Sequence, residues 1–358
     1  MLMLCLVFQT LANRKPDLDA GVYAYARTGF GPYLGFFSAF GYWASACVGN
    51  VSYWVLIKST LGAVFPVFGD GNTVSAVAVS SVAVWAFHFL VLRGVKEAAG
   101  INRIVTIAKL VPLVLFVVLA IFSFDSGVFA ANLLGGETMK SSGLFEQVKA
   151  TMLVTVFVFL GIEGASNYSR FAQKREHVGI ATVTGFVGVL ALFASVSILA
   201  YGILPQAEIA QLRQPSVGGV LEAAVGTWGA KFIGAGLIVS VLGAYLAWTL
   251  MAAEVLSIAA KKGDMPAFLA RENANQVPSA ALLMSTILVQ VVLVATLFSA
   301  DAFTFALSLC SHLSLLPYLL AAGFALKRVR SRETYDKKPG DAPKDTLVAA
   351  IAGAYTAF

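Results

Sequence analysis

Six stretches of this chain contain no Asp, Glu, Lys or Arg: Thr28–Ile57, Gly71–Leu92, Val178–Ala207, Phe232–Ala253, Asn273–Ala300 and Ala302–Leu326. Each reaches the ~20 residues that carry an α-helix across a bilayer. All are far longer than the ~10 alternating residues of a barrel strand. The pattern predicts an all-α integral membrane protein. Counting apolar segments broken only by isolated charges gives eight full spans, at roughly 32–61, 72–92, 102–124, 146–169, 178–204, 229–260, 279–300 and 302–326. Two partial spans, 1–12 and 346–358, flank them, and residues 1–358 read as one partial transmembrane domain. Met1–Leu11 has neither a basic leader nor a small-residue cleavage site, so it does not read as a signal peptide. Residues 347–358 stop inside an apolar segment, where open carbonyls have no water to meet. The chain is therefore expected to be a fragment of a longer protein.

Composition agrees with the pattern. Hydrophobic residues make up 58% and charged residues 12%, and mean hydropathy is +0.81. A soluble domain carries about 25% charged residues. The basic residues alternate from side to side. One set of loops holds Arg14, Lys15, Arg27, Arg93, Lys96, Arg103, Arg170, Lys174, Arg175, Lys261, Lys262, Arg271 and the basic run from Lys327 to Lys344. That is 19 of the 25 Lys and Arg residues. The positive-inside rule makes this side cytoplasmic, and the inner (plasma) membrane the expected location. The net charge of +6 then follows from topology and calls for no nucleic acid.

One span is interrupted. Val154-Thr-Val-Phe-Val-Phe-Leu-Gly-Ile-Glu-Gly-Ala-Ser-Asn-Tyr168 sets Glu163 between Gly161 and Gly164 in an apolar run. A charge at that depth costs at least about 2.5 kcal/mol, and such residues mark functional sites. Glycines let the backbone open, and interrupted helices of this kind build the substrate sites of secondary transporters. The plainer alternative is a buried Glu that ties helices together.

Other chemistries lack their residues. Cys5, Cys47 and Cys310 lie in apolar segments and form neither a disulfide framework nor a metal cluster. His88, His177 and His312 are scattered. No zincin pair, Gly-x-Ser-x-Gly elbow, phosphate-binding loop or channel filter sequence occurs. An enzyme is not expected, and neither a cofactor nor a metal. Energy must come from a gradient or from exchange of one solute for another.

Several motifs converge. They are Lys15-Pro-Asp-Leu-Asp-Ala-Gly-Val-Tyr-Ala-Tyr-Ala-Arg-Thr-Gly-Phe-Gly-Pro-Tyr33, Phe159-Leu-Gly-Ile-Glu-Gly-Ala-Ser166 and Lys174-Arg-Glu-His-Val-Gly179. Later come Trp248-Thr-Leu-Met-Ala-Ala-Glu254, Ala260-Lys-Lys-Gly-Asp-Met-Pro266 and Leu316-Pro-Tyr-Leu-Leu320. This set resembles the amino acid–polyamine–organocation superfamily. Within it the chain is most similar to the arginine/ornithine antiporters of the basic amino acid/polyamine antiporter family. The resemblance covers almost the whole chain. It implies a fold of two inverted five-helix repeats with broken helices one and six, incomplete here. Met1 would fall in helix two and Glu163 in helix six. Helix one would be absent, with the Gly-Ser-Gly-type turn that holds the substrate carboxylate.

The resemblance also implies site residues. Glu163 would link substrate to gating through Tyr42 and Tyr318, whose hydroxyls can donate to a buried carboxylate. The alternative makes both tyrosines interfacial anchors or packing residues. Trp248 would pack on a cationic or aliphatic side chain, and Phe157 would cover it as a lid. Asn50 would bind the side-chain end, with Ser45, Ala46 and Tyr53 on its helical face and Cys310 opposite. Trp248 as core and Asn50 as a helix-interface amide stay open, as does the role of Lys109. The Lys261-Lys-Gly-Asp-Met-Pro266 loop would gate the cytoplasmic side or end a helix. The function implied is exchange of arginine or lysine for ornithine or a related amine, with a proton-coupled permease as the alternative. Expected partners are small amino acid substrates and the lipid bilayer. A homodimer is left open, and no nucleic acid is expected.

Overall fold

A computed structural model describes residues 1–15, 17–18, 21–94, 98–133, 144–164, 176–299, 301–335 and 339–358. Arg170, Lys174, Arg175, Lys96, Lys140, Lys337 and Lys338 lie outside the described residues, as does the stretch from Ala165 to Tyr168.

Among the described residues the chain forms fourteen α-helices and no strand. They are α1 (Leu2–Arg14), α2 (Gly21–Phe30), α3 (Pro32–Gly62), α4 (Val74–Leu92), α5 (Ala98–Phe122), α6 (Ser126–Leu133) and α7 (Leu144–Val158). Then follow α8 (Glu176–Ala200), α9 (Gln206–Ile209), α10 (Ser216–Val225), α11 (Thr227–Lys261), α12 (Ser279–Ala295), α13 (Ala302–Arg330) and α14 (Ala342–Ala357). Helices α3, α4, α5, α7, α8, α11, α12 and α13 lie along the eight ranges read as spans. Five segments are long and apolar enough to cross a membrane by themselves: Val74–Leu92, Gly179–Ala200, Thr227–Lys261, Ser279–Phe298 and Ala302–Arg330. The bent pair Lys109–Phe122 and Ser126–Leu133 makes a sixth. Helix α7 stops at Val158, in the broken stretch, instead of running on to 169.

Four helices, α2, α6, α9 and α10, lie outside the ranges read as spans. Residues 21–30, read as loop, form α2. Residues 126–133 form α6, bent by 103° from the end of α5. Asp125 makes that corner, accepting from the amides of Gly127 at 2.7 Å and Val128 at 3.0 Å. An acidic cap satisfies donors that a helix start leaves open.

Helix α3 is the centre of the molecule. It packs against α2, α11, α12 and α13, and 22 of its 31 residues are buried. Pro32 starts it at the position where a missing amide costs nothing. Small residues bring α13 close. A Cβ on Gly41 would sit 3.0 Å from the Leu313 carbonyl, and one on Gly49 would sit 3.2 Å from Cys310 Sγ. Membrane helices pack on such small positions because lipid gives them no hydrophobic drive to associate. The Leu313 carbonyl is free to face Gly41 because Pro317, one turn on, has no amide to offer it.

Candidate functional site

The break after α7 is built on Gly161, whose φ of +100° is closed to most side chains. The turn buries Glu163 completely. Its Oε1 accepts from the Tyr42 hydroxyl at 2.6 Å, and its Oε2 from the Tyr318 hydroxyl at 2.7 Å. The Gly161 amide adds a bond to Oε2 at 3.2 Å. Three donors thus meet one carboxylate with neutral dipoles instead of a cation. Tyr42 comes from α3 and Tyr318 from α13, and both are buried. The clamp therefore joins the broken segment to two long helices. Tyr42 sits mid-helix in the core, as does Tyr318, which rules out an interfacial belt for either.

Above the clamp lies a cavity of about 210 Å³. Ser45, Ala46, Gly49 and Tyr53 of α3 line one side, and Phe157, Val158 and Leu160 another. Trp248 of α11, Cys310 of α13 and Phe193 of α8 complete it. The Trp248 ring lies 6.2 Å from the Tyr42 ring, centre to centre. Its edge comes 3.5 Å from where a Cβ on Gly161 would stand. A Cβ at 161 would stand in ordinary contact with the indole, so the cost of a side chain there is the strain of the turn. Gly161 also lines a second cavity of about 360 Å³, with Phe186 and Met251. A Cβ on Gly164 would meet nothing within 4 Å among the described residues.

Of the residues expected from sequence, Ser45, Phe157, Trp248 and Cys310 line the central cavity, and Glu163, Tyr42 and Tyr318 form the clamp below it. Asn50 does not line it. Its amide donates to Thr249 Oγ1 at 3.1 Å, which steadies the turn carrying Trp248, and its Oδ1 has no hydrogen-bond partner among the described residues. Ser45 and Cys310 are tied together: the Ser45 hydroxyl reaches the Cys310 carbonyl at 3.0 Å and Sγ at 3.3 Å, and the Cys310 thiol lies 3.2 Å from the Ser45 carbonyl. Sequence reasoning missed Phe193, Met251 and Thr249. Phe193 carries no local motif. Thr249 and Met251 stand inside the Trp248 motif, and their helical spacing could have flagged them.

The opposite end of α3 is closed by polar contacts. Tyr23 of α2 donates to Asp264 Oδ2 at 2.8 Å, and Arg27 Nε meets the same oxygen at 2.7 Å. Burial first, then the bond to Asp264, raises the Tyr23 hydroxyl well above its ordinary pKa. Asp264 stands in the loop that stops α11. Gly263 adopts φ +83°, the Asp264 amide bonds the Ala259 carbonyl at 3.0 Å, and the Gly263 amide bonds Ala260 at 3.0 Å. This is a Schellman stop. It gives the Lys261–Pro266 motif a helix-ending role and aims Asp264 at α2. Nearby, Arg14 of α1 pairs with Asp341 at 3.0 Å and Asp345 at 3.2 Å, and its guanidinium lies 3.8 Å above the Tyr335 ring.

A family model described as amino acid permease matches residues 1–358. An arginine/ornithine antiporter of Pseudomonas aeruginosa is 50% identical over 364 residues, covering 100% of this chain and 76% of the relative. An arginine/agmatine antiporter of Chlamydia abortus is 38% identical over 358 residues, covering 99% and 73%. An L-lysine transport protein of Corynebacterium glutamicum is 43% identical over 324 residues, covering 90% and 64%.

Proposed function

The chain belongs to the amino acid permease family, and from that premise we propose that it exchanges a cationic amino acid, arginine or lysine, for ornithine or a related amine. It is a multi-pass membrane transporter of amino acids and not an enzyme. The observation that carries the reading is the clamp: one buried carboxylate, bridged by Tyr42 and Tyr318, beneath an aromatic cavity. Trp248 receives the cationic side chain, a contact of about 0.5–2 kcal/mol, and Phe157 covers it. Ser45, Cys310 and the Gly161–Gly164 turn shape the rest of the pocket, and Asn50 acts from behind Trp248. A bound ammonium competes with the two hydroxyls for Glu163. Occupancy then changes the contact that joins the broken segment to α3 and α13. Exchange follows when the loaded carrier reorients faster than the empty one, through such differential contacts.

The basic loops face the cytoplasm in this proposal, residues 1–358 act as one transmembrane domain, and the membrane is the inner (plasma) membrane. A homodimer is the assembly to test by crosslinking in membranes. Counterflow in proteoliposomes tests the exchange. Labelled arginine is expected to enter only vesicles loaded with ornithine. A second reading, a proton-coupled permease, is favoured by the absence of a cationic partner for Glu163 among the described residues and by the lysine-transport relative. Uptake that ignores internal ornithine and follows a proton gradient would select it.

A further inference from the structure

A further cavity, of about 420 Å³, opens farther along α3 and α13 than the central one. Its lining is mainly polar, where that of the central cavity is mainly apolar. Ser59 comes from α3, Asp70 and Asn72 from the turn before α4, Arg213 from the segment before α10, and Asp301 and Phe303 from the start of α13. From Gly49, in the central cavity, to Ser59 is about 15 Å along α3 at 1.5 Å per residue. From Cys310 to Phe303 is about 10 Å along α13, in the antiparallel direction. The two cavities are thus stacked, and the outer one lies at the end away from the Arg27–Asp264 contact.

We propose that this outer cavity is a loading site for a dibasic amino acid, which the protein captures there before it enters the central cavity. The inference rests on the exchange reading above. Charge complementarity carries it. A dibasic amino acid presents two cations and one carboxylate. The cavity presents two carboxylates, Asp70 and Asp301, and one guanidinium, Arg213. Arg213 is held in place: its Nε lies 3.0 Å from Asp70 Oδ1 and 3.4 Å from Ser59 Oγ, and a further nitrogen donates to the Gly69 carbonyl. Asp301 caps α13 through Oδ1, which accepts from the Thr304 amide at 2.9 Å, so Oδ2 is not used by the cap. A substrate carboxylate takes the place of Asp70 on Arg213. Asp70, released, meets the α-ammonium, and Asp301 meets the side-chain cation. The lining carries a net charge of −1, which concentrates cations at the mouth. Lys58, adjacent to Ser59, is buried outside this lining.

Asp301→Asn is the first test, because Asn caps a helix about as well as Asp. The protein is expressed from its complete gene and assayed in right-side-out and inverted vesicles. The KM for arginine at the face that opens on this cavity is expected to rise at least about fivefold, an effect of roughly 1 kcal/mol, while the other face stays within about twofold. An unchanged KM, or an equal rise at both faces, overturns the proposal. Equilibrium binding of labelled arginine to the purified protein gives an independent answer. Two arginines per chain, falling to one in Asp301→Asn, support the site, and one in both proteins overturns it. Absent exchange in the unaltered protein would sink the exchange reading, and the binding stoichiometry would still decide the outer site.

Discussion

Helices α3 and α8 have similar lengths, 31 and 25 residues, and opposite surroundings. In the most apolar 18 residues of Gly179–Ala200 in α8, only 6% of residues are buried. Helix α3 carries Ser38, Ser45, Asn50, Ser52 and Lys58 among its buried residues and falls below the apolarity of the five spanning segments. In a soluble protein the apolar helix would be the core. Here the apolar helix faces outward, and the polar one is wrapped by protein. Lipid satisfies apolar side chains as well as a neighbouring helix does, so apolarity does not draw helices inward. Polar side chains do the opposite, because only other protein groups can bond them at that depth. In this pair, strong hydropathy goes with the outward helix and weak hydropathy with the wrapped one.

Steric substitution should separate the two helices most. Gly49→Leu in α3 pushes three carbons past a contact already at 3.2 Å from Cys310 Sγ. We expect a destabilisation of about 1–3 kcal/mol or more, seen as a lowered melting midpoint and lost exchange. A Cβ on Gly188 in α8 meets nothing within 4 Å among the described residues, and Gly188→Leu should stay within about ±0.5 kcal/mol. Equal losses in both would break the comparison. Hydrogen-bond deletion comes next. Tyr42→Phe leaves one oxygen of a buried carboxylate short of its donor, a cost of about 1–3 kcal/mol, so exchange should fall at least tenfold in a protein that still folds. Thr184→Val in α8 removes only contacts within its own helix, to the carbonyls of Ile180 at 2.8 Å and Ala181 at 3.4 Å, and transport should change less than about twofold. The smallest separation concerns α11, which has both kinds of face. Trp248→Leu should raise the Kd for arginine about tenfold, or roughly 1.4 kcal/mol. Phe232→Leu, on the exposed side of the same helix, should leave it unchanged.

The sequence made the outward features legible and the inward ones less so. Charge-free runs located the long helices because lipid tolerates no charge over that length. Glu163 could be singled out because an isolated carboxylate in such a run is locally visible. Its partners could not be found that way, since Tyr42 is 121 and Tyr318 is 155 residues distant. They came into view through family resemblance alone. Short helices escaped for a related reason. Residues 21–30 and 126–133 are too short to show a spanning run, and a cap such as Asp125 is a local signal easily read as a turn. The contact of Asp264 with Tyr23 spans 241 residues, so the motif around it suggested a helix end without naming what the carboxylate holds. Asn50 lies on the helical face of cavity residues, yet its amide reaches Thr249, because helical phase gives a direction and not a partner.

Pro317 gives α13 an asymmetry beside Tyr318. The residue before this tyrosine offers no amide to the turn below, so the Leu313 carbonyl rests against Gly41. An unbroken helix would have to give up a backbone bond to flex at that level. Helix α13 has one bond fewer to give up there. Its two halves meet at a weakened joint, one residue from the tyrosine whose hydroxyl holds Glu163.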